Sequence, residues 1–248
     1  GGAAAAPLSR EQAIAASPRV VIDTPAISGS INLKGARIDD VVLKDYRVSV
    51  EDDSPNVVLL SPSGAPLPYY AEQGYVAAAG AQIEGLPNGQ TVWEAPEGAR
   101  LTPDTPVTLT YQSPAGLVFE RTISVDRDYM FEIDDTVRNE SGAAVALSPY
   151  GLVSRHGLPN DLENFFILHE GLIGVIGEEG LTEVDYSDVA GEPAQQYDGT
   201  GGWLGITDKY WAATVVPQQD QHYRARFSSG SVGGQITYQS DYLRDTVE

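Results

Sequence analysis

The chain has 248 residues, with 35 acidic against 15 basic side chains for a formal charge of -20, and no cysteine. So large an acid excess excludes nucleic acid and anionic lipid as partners, since both need clustered Lys and Arg. Hydrophobic residues at 42% suffice for a packed core, and the missing cysteines remove disulfides, thiolate nucleophiles and Cys-ligated zinc.

Residues 1–18 are rich in Ala, Gly and Pro. Residues 9–16 could wind one helical turn, but the stretch reads best as a flexible linker. It has neither the charged nor the apolar region of a signal peptide. From Arg19 onward two-residue alternation dominates, and residues 19–248 read as one domain. Ile27, Gly29, Ile31 and Leu33 share one face, with Ser28, Ser30 and Asn32 on the other. A turn at Gly35-Ala36 leads into a strand over 38–46. Leu117, Phe119, Arg121, Ile123 and Val125 alternate with Val118, Glu120, Thr122 and Ser124. After the turn 126–128, Phe131, Ile133, Asp135 and Val137 alternate with Glu132, Asp134, Thr136 and Arg138. A second turn at 139–142 opens a strand over 143–147.

The best helix candidate is short, residues 161–168, capped by Asn160 or Asp161. The most apolar stretch, 165–177, contains His169 and Glu170 and is too short to span a bilayer, which takes about 20 apolar residues. Strands return at 203–206, 210–216, 223–227 and 235–239, rich in aromatic and β-branched residues. Gly and Pro fall between these runs. The pattern predicts an all-β domain of two packed sheets with little helix, because one open sheet so wide would twist excessively.

No phosphate loop, dinucleotide fingerprint, zinc-protease helix or serine-nucleophile elbow is present. The acidic runs 51–53 and 126–128 lack the ligand order of a calcium loop and read as solvated turns. His156 or His169, with Asp161, Glu170 or Glu183, could move a proton at a sugar ring, as in aldose mutarotases. The competing assignment is a histidine satisfied by backbone at the core edge. His222 completes the three histidines. Asp134-Asp135 and Glu178-Glu179 cannot each flank one glycosidic bond, since neighbours on a strand point to opposite faces. Tyr69-Tyr70, Tyr150, Trp203, Tyr210 and Trp211 remain as aromatics that either line a groove or fill the core. Tyr210 and Trp211 cannot both enter one core from a regular strand.

Gly201-Gly202-Trp203, then Tyr210-Trp211-Ala212 and Pro217, resembles a motif in the large periplasmic domain of YidC-type membrane protein insertases of Gram-negative bacteria. INLKGARIDDVVLKDY (31–46) is similar to that family's opening hairpin. FERTISVDRDYMFEIDDTVRNESG (119–142) is similar to its central strand pair, and FILHEG (166–171) to the stretch before its glycine- and acid-rich segment. These matches run in family order over most of residues 20–240.

The resemblance implies a β-supersandwich like that of galactose mutarotases, on the periplasmic face of the inner membrane. It implies no catalysis, cofactor or metal, and no catalytic role for Trp203, Tyr210 or Trp211. Contacts with Sec translocon subunits and nascent inner-membrane proteins are its implied partners. It also implies an excised domain, tethered in the whole protein by transmembrane helices that this stretch lacks. Tyr150, Trp203, Tyr210 and Trp211 are the groove candidates. The alternative is a periplasmic carbohydrate-binding or mutarotase-like protein.

Overall fold

The computed structural model describes residues 8–159 and 169–247. The helix expected at 161–168, Asp161 among the candidate acids and the start of the FILHEG stretch lie outside the described residues. Among the described residues, seventeen strands carry the fold. In the first half they are β1 (Arg19–Asp23), β2 (Ile27–Asn32), β3 (Arg37–Arg47), β4 (Asn56–Leu60), β5 (Tyr69–Ala77), β6 (Arg100–Leu101), β7 (Val107–Gln112) and β8 (Leu117–Val125). In the second half they are β9 (Phe131–Asn139), β10 (Leu147–His156), β11 (Gly171–Ile176), β12 (Leu181–Asp185), β13 (Gln195–Thr200), β14 (Gly202–Thr207), β15 (Ala212–Val215), β16 (His222–Val232) and β17 (Gln235–Arg244). Two short helices, α1 (Arg10–Ala15) and α2 (Tyr186–Val189), accompany them.

The all-β sandwich expected from the alternation is what forms. A ten-stranded sheet runs β13-β16-β17-β10-β5-β3-β2-β1-β6, with β4 branching from β3. Against its inner face lie a four-stranded sheet, β12-β11-β14-β15, and a three-stranded sheet, β7-β8-β9. The opposing layer is therefore built from two separate sheets.

The alternation translates directly into packing. Along β8 the inward residues Leu117, Phe119, Ile123 and Val125 are buried, and Arg121 with them. Such burial contributes about 1.5–3 kcal/mol per large apolar side chain. Arg121 is tolerated there because Asp135, opposite it on β9, accepts both of its forked bonds at 2.7 and 2.6 Å. The carbonyl of Gln73 takes a third bond at 3.0 Å, tying this sheet to β5.

A β-bulge gives the second informative irregularity. Ser30 pairs with Asp40 but Ile31 pairs with Ile38, so Asp39 is an extra residue in β3. The bulge lets two successive carboxylates serve one face. Arg19 takes Asp39 at 2.6 Å, and Arg10 takes Asp40, which also accepts from Ser30 Oγ at 2.6 Å. Arg10 belongs to α1, whose start is fixed by a reciprocal capping box between Ser9 and Gln12. The helical turn allowed by residues 9–16 thus forms and is tied through Arg10 to Asp40 on the large sheet.

Some boundaries differ from expectation. The strand expected at 143–147 begins only at Leu147, and 210–216 shortens to β15. Tyr210 and Trp211 sit in the turn before β15, closed by Asp208 N–H donating to Trp211 O at 2.8 Å. Among the described residues no helix is long and apolar enough to cross a membrane.

Candidate functional site

The strands β5, β10, β17 and β16 are neighbours, so alternate residues of each converge on one outer face of the large sheet. Val76, Leu152 and Leu243 floor a groove of about 430 Å³ there, with Tyr150 at one end and Arg224, Arg226 and Asp241 along one side. Tyr150 stands opposite Gly74, where a Cβ would meet the Tyr150 hydroxyl at 2.8 Å. The bare glycine lets the ring lie across β5, and its hydroxyl donates to Glu72 at 2.7 Å. Glu72 is also paired with Arg37, whose guanidinium lies 4.6 Å from the Tyr70 ring centroid.

The titratable groups of this face are committed to one another. Burial, then the Glu72 carboxylate, pushes the Tyr150 phenol pKa up. Burial raises the Asp241 pKa above its ordinary value, against the bonds from Gln239 and Arg226 at 2.8 and 3.1 Å. His156 packs near Tyr70, ring centroids 5.9 Å apart, and burial followed by the charge of Arg37 lowers its pKa. At neutral pH it is an uncharged ring. The face offers an apolar floor, planar donors and a fixed carboxylate, which suits holding an extended polar–apolar ligand.

The other histidines lie elsewhere. His169 contacts Asp185 at 3.1 Å through Nδ1 and the Leu172 carbonyl at 2.9 Å through Nε2. His222 sits with Asp245 at 3.1 Å. His156 and His169 are not brought together, Glu183 points outward from β12, and Glu170 is buried before β11. Asp134 and Asp135 part as the alternation requires, Asp135 toward Arg121 and Asp134 to solvent. Glu178 and Glu179 fall in a single exposed turn of 3-10 helix rather than a strand. Among the described residues no three His, Asp or Glu side chains gather as a metal site.

The four aromatic candidates occupy three places. Tyr150 lines the groove. Trp203 is half-buried on β14, opposite Val175. Tyr210 and Trp211 lie at an end of the sandwich, where Trp211 meets Tyr46 edge-on with ring centroids 4.6 Å apart. Tyr69 is core: its hydroxyl donates to Ile206 O at 3.0 Å and links the layers. Sequence reasoning missed the Arg37–Glu72 pair and Asp241, which lie on three different strands and come to one face only through sheet register. The glycine doublet before Trp203 has a local cause. Gly201 and Gly202 have φ of 77° and 87°, and a Cβ on Gly202 would lie 1.9 Å from the Val175 carbonyl oxygen.

With this geometry in hand, likeness to known proteins can be placed on it. A family model described as the YidC periplasmic domain matches residues 19–248. The chain is 53% identical to the membrane protein insertase YidC of Beijerinckia indica over 95% of its own length and 39% of that protein. It is also 53% identical to those of Rhizobium etli and Sinorhizobium medicae, over 98% and 96% of the chain and 40% of each relative. The chain therefore spans about two fifths of the length of these relatives. The motifs at 31–46, 119–142 and 201–217, the large sheet and its groove all fall inside the matched region, and the chain belongs to the YidC periplasmic domain family.

Proposed function

We propose that the chain serves as a non-catalytic periplasmic domain of a membrane protein insertase, assisting insertion and folding through contacts with substrate polypeptide or Sec translocon subunits. A YidC periplasmic domain stands at the periplasmic face of the inner membrane. The observation that carries the proposal is the continuous family match over residues 19–248, joined to relatives named for insertion. The outer groove supports it: Val76, Leu152 and Leu243 give it an apolar lining, and its carboxylate Asp241 is engaged by Arg226 at 3.1 Å, an arrangement that suits holding a ligand.

Crosslinking tests it. A photoreactive residue replaces Leu152 or Val76 in the full-length protein in native membranes, during synthesis of an inner-membrane substrate. Covalent capture of nascent chain or a Sec subunit is the expected outcome. Absence of both from these positions and from the aromatic end of the sandwich refutes it.

A further inference from the structure

The end of one strand and two turns bring aromatic side chains to one end of the sandwich, with Tyr46 and Tyr129 exposed and Trp211 half-buried against the core. Tyr46 closes β3, Tyr129 lies in the turn between β8 and β9, and Trp211 precedes β15. Trp211 meets Tyr46 edge-on, and the Tyr129 phenol contacts that of Tyr46. Met130 beside them is 60% exposed, Val48 68% and Tyr210 68%. Exposed apolar side chains scattered singly need no explanation, but a cluster drawn from three segments of the chain does.

The charges around this patch are mostly acidic, Lys209 apart, whose ammonium lies 5.2 Å from the Tyr210 ring centroid. Asp45 and Asp128 adjoin Tyr46 and Tyr129 in the chain, and both are exposed. Glu51, Asp52, Asp53 and Asp126 stand exposed on the same two loops. Of the local bases, Arg47 is turned onto the carbonyls of Asp52 and Ser54, at 3.1 and 2.7 Å. Arg127 reaches Asp104 at 3.8 Å. Strand edges also start here: β9 and β15 end their sheets, each leading away from this aromatic end.

We propose that this corner docks an extended polypeptide segment carrying a bulky apolar side chain flanked by Lys or Arg. The apolar side chain packs among Tyr46, Tyr129 and Trp211. The cations meet Asp45 and Asp128 and the exposed ring faces. The edge of β9 or β15 gives the segment a strand to pair with. Charge decides against other occupants, because a second copy carries the same -20 and an anionic bilayer repels it. The inference rests on the proposed contact with substrate polypeptide and places that contact at the corner.

The test uses the isotope-labelled chain, whose three tryptophans give three resolvable indole signals. The probe is a capped peptide of Leu-Phe-Leu between Lys pairs, with Glu pairs in the control. The Lys peptide is expected to shift the Trp211 indole saturably, and to weaken about tenfold or more on going from low salt to about 0.5 M. The exposed-site double variant Asp45→Lys/Asp128→Lys, checked by its unchanged melting, is expected to lose binding while keeping every aromatic.

Equal binding of the Glu peptide, or shifts confined to Tyr150 and Leu152, overturns the proposal. Trp211 shifts caused by phosphatidylglycerol vesicles alone, or by raising the chain's own concentration, also overturn it. In the full-length protein, nascent-chain capture from Leu152 but not from a photoreactive residue at Tyr210 sinks this inference and leaves the proposed function standing. Capture of neither nascent chain nor a Sec subunit from either position sinks both.

Discussion

The glycine doublet of the Gly201-Gly202-Trp203 motif yields a prediction in which two adjacent, similar residues should behave differently. Both have positive φ, 77° and 87°, so an alanine at either pays a backbone cost of about 1–2 kcal/mol. Their surroundings differ. A Cβ on Gly201 would find nothing nearer than Gln219 O at 3.4 Å, an ordinary contact, whereas on Gly202 it would sit 1.9 Å from Val175 O. That oxygen belongs to β11, paired with β14 through Val175↔Trp203 and Ile176↔Gly202. For the Cβ to fit, the two strands must part by more than an ångström at the start of β14. Overpacking adds about 1–3 kcal/mol, and a ladder bond left unmade about the same again. Gly202→Ala should therefore cost about 4 kcal/mol or more, against about 1–2 for Gly201→Ala. For a chain of this size that is a drop in Tm of about 8–16 °C against about 2–8 °C. Thermal unfolding followed by circular dichroism and calorimetry measures both. Equal losses for the two variants would show that positive φ alone explains the doublet and would refute the close-approach argument.

Other perturbations follow from the same geometry. Asp135→Asn leaves Arg121, with only 1% of its side chain exposed, as an unpaired buried cation and should cost about 3–5 kcal/mol in urea unfolding. The paired replacement Arg121→Met/Asp135→Leu should stay within about 1 kcal/mol of the parent, and a large loss there would show the ion pair itself to be stabilising. His156 has a folded pKa below its ordinary 6.5, so its contribution is full above that value and is lost as pH falls through it toward the folded pKa. His156→Gln should flatten the decline in urea midpoint between neutral and mildly acidic pH, and an unaltered decline would contradict a buried neutral ring. Ser9→Ala removes the α1 cap and should speed hydrogen exchange at Gln12 and Ala13 by about 1 kcal/mol. Global melting should barely move, and a large drop would mean that α1 supports the whole sandwich.

Much of the fold was legible because β8, β9 and β16 alternate cleanly, each with one face wet. The alternation even placed Arg121 and Asp135 among the inward positions of β8 and β9. What it lacked was the register that sets them opposite each other. The outer groove was illegible for a related reason. Arg37, Glu72, Tyr150 and Asp241 belong to β3, β5, β10 and β17, and they share one face only through strand order and register. The strand β10 itself hides behind Pro149 and Gly151, residues that read as turn. Pro149 is accommodated because the ladder to β17 begins at Tyr150, so its missing N–H interrupts nothing there. Gly151 stands under the Tyr242 ring, which a Cβ would meet at 2.6 Å. The bulge at Asp39 was equally hidden, since an Asp pair on one strand is expected to split between faces.

The acid excess also takes on a location. Arg10, Arg19, Arg37, Arg121 and Arg155 are all matched to carboxylates inside the molecule or under α1. These pairs are neutral units, so the formal -20 resides almost entirely on the solvent surface. A surface so charged resists self-association and anionic lipid, and it draws cationic segments from a distance. The exposed Tyr46, Tyr129 and Met130 beside the half-buried Trp211 would be an aggregation liability on a neutral protein. Surrounded by Asp45, Asp128 and the acids of the neighbouring loops, it stays soluble toward its own kind. The same charge leaves it open to an apolar segment that brings its own positive charge. Composition, which at first excluded nucleic acid and anionic lipid, thus also determines which ligand the aromatic corner can accept.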